Sequence, residues 1–321
     1  MNYRTEIKPL IPDVDGLICT VGDMNIYAGL EALPAPIACS SVTIGTFDGV
    51  HRGHQALIRR TVDDAHAHGR AAVVLTFDRH PKELTRPESA PPRLTTPAQR
   101  NALIAELGVD VLIVVCFDHA LAALSPDAFM VEILKGRLGA RSILVGQDFC
   151  FGKGRAGDLA YLQWRQRDYD FTLHSLGFVQ VDGVCASSTG VRERLLAGEI
   201  AAAEAMLGHS FWLIGRGVYG QRHGRACGFS TAKLALLYRQ ITPAGGAYAM
   251  RVRLDDSREW EGICIIGEEV GSGIDVCLFD CAEDLYGQDM ALCFVRRLCT
   301  EEISIWSQKT ALHRTIDTRT I

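Results

Sequence analysis

The chain has 321 residues, 48% of them hydrophobic, which is enough to build two domains with cores of their own. A formal net charge of −5 without a long basic run argues against a nucleic-acid partner. No run of about 18 apolar residues occurs, which argues against a membrane span.

Residues 1–22 form a predicted N-terminal extension. They contain charged residues and prolines but no continuous apolar segment, so we do not expect a secretory signal peptide here. The 11 cysteines are an odd number in a long chain, which is typical of reduced thiols, and we expect a cytoplasmic protein. The spacing of the last cysteines matches no paired CxxC zinc site.

Residues 23–207 alternate short apolar runs with amphipathic patterns. Predicted strands cover residues 42–45, 72–76, 111–115 and 143–145. Predicted helices cover residues 55–66, 98–107 and 127–134. Buried strands joined by crossover helices favour an α/β fold with a doubly wound parallel sheet, in which ligands bind at the carboxyl ends of the strands.

The first predicted strand leads into a glycine turn, residues 45–54, which reads GTFDGVHRGH. His51 and His54 are three residues apart at the start of a helix, so their rings should share one face. A helix N-terminus offers free N–H donors and partial positive charge to phosphate. Gly53 has no side chain and should let a flat ligand approach the backbone. The turn therefore predicts a nucleotide site in which two imidazoles stabilise charge on a reacting phosphate.

Two later segments carry candidate phosphate contacts. Residues 145–158 run from a strand end into a glycine-rich basic loop without P-loop spacing; its Asp148 either orients a sugar or metal-bound water or only ends the strand. Residues 187–192, SSTGVR, precede a helix. We expect hydroxyls of this segment to cap the helix. We expect Arg192 to lie in its first turn, where it either binds an anionic ligand or is a solvated arginine.

The composition changes after residue 207. Glycines cluster in residues 215–228, and short alternating strands follow over residues 249–254, 264–266 and 275–279. This pattern predicts a small antiparallel barrel. We therefore predict one domain over residues 23–207 and a second over residues 208–321.

These motifs resemble a known family. GTFDGVHRGH resembles the HxGH signature of nucleotidylyltransferases, and its FDGVHxGH form resembles the prokaryotic bifunctional riboflavin kinase/FMN adenylyltransferase (FAD synthetase) family. Further similar segments run in family order from about residue 24 to 225: LTFDRHP, RLTTPAQR, LGVDVLIVVCFD, LSPDAFM, VGQDFCFGKGRAGD, SSTGVR and MLGHSFWLIGRGVYG. The resemblance implies transfer of AMP from ATP to FMN, which gives FAD and pyrophosphate, with Mg²⁺ bound mainly through phosphate oxygens.

The resemblance also implies roles for single residues. His51, His54 and Arg192 would act on the reacting phosphates. The implied nucleotide-binding residues are Gly45, Phe47, Asp48, Gly49, Gly53, Asp148 and Ser188. The implied partners are the small molecules ATP, FMN and riboflavin, without nucleic acid or membrane; the resemblance leaves open whether the chain forms an oligomer.

The second domain resembles a riboflavin kinase with departures. Residues 224–233, GRACGFSTAK, resemble a signature that usually reads GFPTAN, and the DLYG of residues 284–287 also matches. The implied flavin or kinase-like residues are Gly228, Thr231, Lys233 and Asp275, with Thr231 as the one retained candidate magnesium ligand. Lys233 replaces a metal-holding asparagine, Asp275 is one methylene shorter than a catalytic glutamate, and residues 266–270 are eroded. We expect impaired kinase activity.

Three alternatives remain at this point. In the first alternative the chain is fully bifunctional. In the second it transfers a nucleotidyl group to another phosphate acceptor and uses the barrel as a flavin-binding regulator. In the third alternative it is a flavin-binding or regulatory protein without activity. Turnover with ATP and FMN separates FMN adenylyl transfer from transfer to another acceptor, and flavin binding without turnover supports the third alternative.

Overall fold

The computed structural model describes residues 19–218, 230–254, 258–267, 273–299 and 301–302. They fall into two compact units, the first with residues 19–91 and 97–186 and the second with residues 92–96 and the described residues from 187 onward. The domain boundary between residues 207 and 208 stays a prediction. Gly228, residues 219–227 of the glycine cluster and residues 268–270 lie outside the described part of the chain.

The first unit is built on one sheet. Its seven strands are β1 (Cys19–Val21), β2 (Met24–Ala28), β3 (Ser40–Ile44), β4 (Ala71–Phe77), β5 (Val111–Val115), β6 (Ala140–Gly146) and β7 (Thr172–Leu176). The spatial order is β1-β2-β5-β4-β3-β6-β7, and every pair is parallel except the edge pair of β1 and β2. The predicted parallel sheet is confirmed, and its four predicted strands are β3 to β6.

Helices cover both faces of this sheet, and a short hairpin of β8 (Gln180–Val181) and β9 (Val184–Cys185) follows it. The helices are α1 (Arg52–Ala67), α2 (Pro81–Thr85), α3 (Pro97–Ala105), α4 (His119–Ala123), α5 (Pro126–Ala128) and α6 (Leu159–Arg165). The helix predicted over residues 127–134 consists of α5 and a π-helix, Phe129–Arg137. Apolar spacing did not separate these forms, because the buried residues of the π-helix, Phe129, Met130, Ile133 and Leu134, have the spacing expected for one face of an α-helix.

Alternate residues of the strands point into two apolar layers. On β4, Val73 and Leu75 pack in the layer that contains the π-helix, whereas Ala72 and Val74 pack in the layer that contains α1. Burial on both faces explains why these strands read as continuous apolar runs. It also leaves the ends of the strands as the edges at which loops can form a site.

The second unit contains a closed antiparallel barrel. Two helices, α7 (Ser188–Leu196) and α8 (Ile200–Leu207), precede its strands. The strands are β10 (Trp212–Val218), β11 (Ser230–Leu236), β12 (Gly246–Leu254), β13 (Glu259–Ile266), β14 (Ile274–Leu278) and β15 (Asp289–Arg297). They close in the order β10-β11-β14-β13-β12-β15, which confirms the predicted barrel.

The core of the barrel extends into the two preceding helices. Leu195 of α7 and Met206 of α8 belong to the same buried cluster as Phe211, Tyr248 and Phe294. Residues 188–207 therefore contribute to the packing of the barrel unit. Within the part of the chain that the structure describes, no helix is both long and apolar enough to cross a membrane.

Candidate active site

The glycine turn lies at the carboxyl end of β3 and is tightly wound. The Gly45 N–H donates to the Leu75 carbonyl at 3.1 Å, and the Val50 N–H donates to the Phe47 carbonyl at 3.1 Å. Phe47, Gly49 and Val50 have φ values of 49°, 79° and 38°. A left-handed conformation is natural for glycine but strained for a β-branched residue such as Val50. Backbone strain of this kind clusters at functional sites, and here it directly precedes His51.

A residue that the sequence analysis missed holds this turn in place. The Gln55 side-chain amide donates to the Val50 carbonyl at 2.8 Å, and both groups are buried. The Gln55 N–H also donates to the His51 carbonyl at 2.9 Å. The available signal was a glutamine on the mainly apolar buried face of α1, which also contains Leu57 and Ile58. Gln55 thus fixes the strained backbone to the helix that follows it.

The structure brings His51 and His54 together. His51 is the N-cap of α1, and its Nδ1 accepts a hydrogen bond from the His54 N–H at 3.4 Å. The two rings stack with centroids 3.6 Å apart and an interplanar angle of 23°. The buried Phe47 ring lies edge-on to His54 at 5.2 Å. Two imidazoles and the first turn of a helix are therefore held at one point, with the half-buried Asp48 in the turn before them.

The surroundings of His54 favour its neutral form. Its Nδ1 is buried and has no hydrogen-bond partner among the described residues. Burial lowers the pKa of His54 well below its ordinary value of 6.5, and the neighbouring His51 lowers that pKa further. At pH 7 the ring is then an uncharged group that offers one N–H donor.

The backbone at Gly53 lies close to other protein atoms, and its predicted contact with a ligand stays a prediction. A Cβ atom at this position would lie 3.1 Å from Cε1 of His51 and 3.3 Å from the carbonyl oxygen of Ala186. The space beside Gly53 is therefore taken by the protein itself. The glycine lets the His51 ring lie close to the helix backbone, which the sequence pattern alone did not indicate.

The basic loop after β6 is closed on itself. The N–H and carbonyl of Phe151 exchange hydrogen bonds of 2.9 and 3.0 Å with Gly157. A turn of 3₁₀-helix, Lys153–Arg155, follows Gly152, whose φ is 72°. Asp148 is exposed at the start of the loop. Because β3 and β6 are parallel neighbours, this loop and the glycine turn follow the same edge of the sheet.

Ser188 and Arg192 belong to the second unit, whereas the His pair belongs to the first. The cap of α7 is the Ser187 hydroxyl, which accepts from the Gly190 N–H at 3.1 Å, and Ser188 is the first helical residue. Arg192 is the fifth residue of α7, so its predicted place in the first turn is wrong by one position. Its Nε donates to the Pro92 carbonyl at 2.8 Å, which fixes the plane of the guanidinium group.

The kinase-like residues of the barrel lie on neighbouring strands. Thr231 and Lys233 alternate along β11 with the buried Ala232 and Leu234, so they point away from the core. Lys233 is directly opposite Asp275 of β14, and its Nζ lies 4.0 Å from the Asp275 Oδ1. Burial raises the pKa of the Asp275 carboxyl, and the Lys233 ammonium acts against this shift.

Across the described residues, no group of three or more His, Cys, Asp or Glu side chains is arranged to hold a metal ion. A carboxylate, Asp148, stands at one candidate site and an ammonium, Lys233, at the other. Oxygen ligands suit Mg²⁺, whereas an ammonium has no lone pair to donate.

Comparisons with known proteins match both units. A family model for FAD synthetase matches residues 35–190, and one for riboflavin kinase matches residues 207–318. A bifunctional riboflavin kinase/FMN adenylyltransferase of Escherichia coli K12 is 36% identical over 285 residues, which cover 87% of this chain and 91% of that protein. A protein of the same name from Pseudomonas fluorescens is 36% identical over 298 residues, or 90% and 95% of the two chains.

A solved structure described as a macrolide-efflux protein from Streptococcus pneumoniae has the same fold. Its TM-score is 0.77 at 24% identity, and the match covers 92% of this chain and 100% of that one. At this identity the likeness shows the fold alone.

Proposed function

Because the chain belongs to the bifunctional riboflavin kinase/FMN adenylyltransferase family, we propose that its first unit supplies the site that transfers AMP from ATP to FMN. The products are FAD and pyrophosphate. The observation that carries the proposal is the stacked pair of His51 and His54 at the N-terminus of α1. Both rings follow a strained turn at the edge of the sheet where ligands bind in this class of fold.

In the proposed reaction, an oxygen of the FMN phosphate attacks the α-phosphorus of ATP. The bond from that phosphorus to the oxygen bridging the α- and β-phosphates breaks, and pyrophosphate leaves with the electron pair. The attacking phosphate is already an anion near pH 7, so no side chain has to act as a base. The protein has to align the phosphates and neutralise the charge that grows on the α-phosphate and the leaving group.

The residues of the turn suit this task. A neutral His54 donates an N–H to a phosphate oxygen, and His51 shares the same face. Gly45 and Gly49 let the backbone pass close to the nucleotide, Asp48 contributes to nucleotide binding, and Phe47 holds His54 through its edge-on ring. Ser188 and Arg192 remain proposed phosphate contacts, and the hydrogen bond from Arg192 Nε to the Pro92 carbonyl supports a fixed guanidinium.

The oxygen chemistry of Asp148 fits Mg²⁺, which would be held by this carboxylate and mainly by the phosphates. When bound, Mg²⁺ supplies charge neutralisation. The barrel site fits Mg²⁺ less well. Lys233 lies two residues after Thr231 on the same face of β11, and its ammonium has no lone pair to donate to a metal ion. We infer that the barrel binds flavin and phosphorylates riboflavin weakly at most.

The experiment is one assay on the full chain. Purified protein with ATP and Mg²⁺ receives FMN in one arm and riboflavin in the other, and the flavins are separated by chromatography. FAD from FMN together with little FMN or FAD from riboflavin supports both proposals. Absence of FAD from FMN contradicts the first proposal, and equal rates in the two arms contradict the second. We place the reaction in the cytoplasm, with small molecules as its only required partners.

A further inference from the structure

A cavity of about 520 Å³ opens at the amino-terminal edge of the first unit's sheet. Its wall includes residues at the beginnings of four adjacent parallel strands: Arg70 precedes β4, Cys39 precedes β3, Arg141 is near the start of β6 and Thr172 is the first residue of β7. The glycine turn follows the opposite end of β3. A five-residue strand spans roughly 16 Å, so this cavity is separate from the candidate active site.

The wall of this cavity is rich in guanidinium groups. Arg141 pairs with Asp170, and Nη1 of Arg70 lies 3.8 Å from Oδ2 of Asp64. A third arginine, Arg167, is exposed and makes no hydrogen bond or ion pair with any residue that the structure describes. The arginines therefore outnumber the carboxylates that pair with them.

Lys135 adds positive charge behind Arg141. Its ammonium donates to the Ala140 carbonyl at 2.8 Å and to the Asp170 carbonyl at 3.3 Å, both neutral acceptors. Burial lowers the pKa of Lys135 and the charge of Arg141 lowers it further, whereas the Asp170 carboxylate acts in the opposite direction. Like charges are thus held together here, and a bound anion would relieve their repulsion.

We propose that this cavity binds a small phosphate-bearing anion at a site independent of the proposed reaction. A cavity of this size accommodates a small molecule. Guanidinium groups hydrogen-bond phosphate oxygens in pairs, which suits an anion with several oxygens. The Gln166 amide and the Thr172 hydroxyl on the wall offer neutral donors beside the arginines.

Cys39 gives a local readout, because its half-buried thiol lines the cavity. The full chain is alkylated with N-ethylmaleimide, with and without pyrophosphate at matched ionic strength, and each cysteine is followed by peptide mass spectrometry. Pyrophosphate at ten times its Kd should slow the alkylation of Cys39 by about tenfold. The exposed Cys299 of the second unit serves as the internal reference and should not change.

A double variant, Arg141→Gln with Arg167→Gln, should raise the pyrophosphate concentration needed for half-protection of Cys39 by about tenfold or more. Arg60→Gln removes one exposed charge from α1 outside the cavity and should leave this concentration unchanged. Thermal unfolding checks that all variants fold. Three results would overturn the proposal: no protection of Cys39 at ~10 mM pyrophosphate, a concentration at which even weak binding is detected; an unchanged half-protection concentration in the double variant; or an equal rise of that concentration in Arg60→Gln.

Discussion

The rings of His51 and His54 stack with their centroids 3.6 Å apart, directly at the start of α1. Two protonated imidazoles at this separation would repel each other, and burial adds to the cost of charging His54. The free protein therefore holds His54 as a neutral ring beside His51, which is the arrangement that the proposed reaction needs. A phosphate placed against it would bring the compensating negative charge.

Replacement of His54 by alanine should slow adenylyl transfer by about 100-fold, which is the scale for loss of one preorganised transition-state donor. The KM for FMN should change little, because the proposed contact strengthens as charge develops on the ATP phosphates. Steady-state kinetics with ATP and FMN measure both quantities. His66→Ala is the matched control, since His66 lies on the same helix and its side chain is exposed, with its Nε2 3.7 Å from the Asp110 Oδ2. Near-normal turnover of His54→Ala would show that the pair is structural.

The depressed pKa of His54 has consequences for stability and binding. Above pH 6.5 the ring is neutral in the folded and unfolded chain, so it gives no pH dependence. As the pH falls below 6.5, the unfolded chain binds a proton that the folded chain excludes, and the free energy of unfolding decreases. NMR titration of the histidine ring protons should show this pKa below 6.5, and bound ATP should raise it. A pKa at or above 6.5 in the free protein would contradict this assignment.

Gly53→Ala should separate activity from stability. Alanine favours the helix by up to about 1 kcal/mol, so the fold should tolerate it. Its Cβ would meet the His51 ring at 3.1 Å, however, and displacement of that ring should reduce transfer by about tenfold. Gly177→Ala is the control, because the nearest atom to a Cβ there is 3.9 Å away. Thermal unfolding and turnover are measured on both variants, and equal turnover would show that His51 can shift without effect.

Substitution of Lys233 and Asp275 tests whether this pair limits riboflavin phosphorylation by the barrel. Lys233→Asn with Asp275→Glu should raise riboflavin phosphorylation by about tenfold or more, because it restores a neutral oxygen donor and lengthens the carboxylate side chain. Lys233→Arg keeps the positive charge without an oxygen ligand and should give no gain. The assay should use the full chain, since Met206 and Leu195 before residue 208 pack in the core of the barrel. An unchanged rate in the double variant would place the defect outside this pair.

The sequence predicted the layout of the fold better than the details of the site. Apolar runs identified β3 to β6, because buried parallel strands carry few polar residues. The spacing of His51 and His54 predicted a shared face. The hydrogen bond from Gln55 to Val50 and the packing of Gly53 against Ala186 depend on contacts between side chains and backbone, which periodicity does not encode. The π-helix Phe129–Arg137 was missed for a similar reason, since its apolar spacing resembles that of an α-helix.

The most direct test of the central claim follows the phosphorus atoms of ATP. The full chain is incubated with FMN, Mg²⁺ and ATP labelled at the α-phosphate or, separately, at the γ-phosphate. Transfer of AMP predicts that the α-label appears in FAD and the γ-label in pyrophosphate, in equal amounts, and that His54→Ala slows both. A γ-label released as free phosphate, or an α-label that never enters FAD, would contradict adenylyl transfer to FMN.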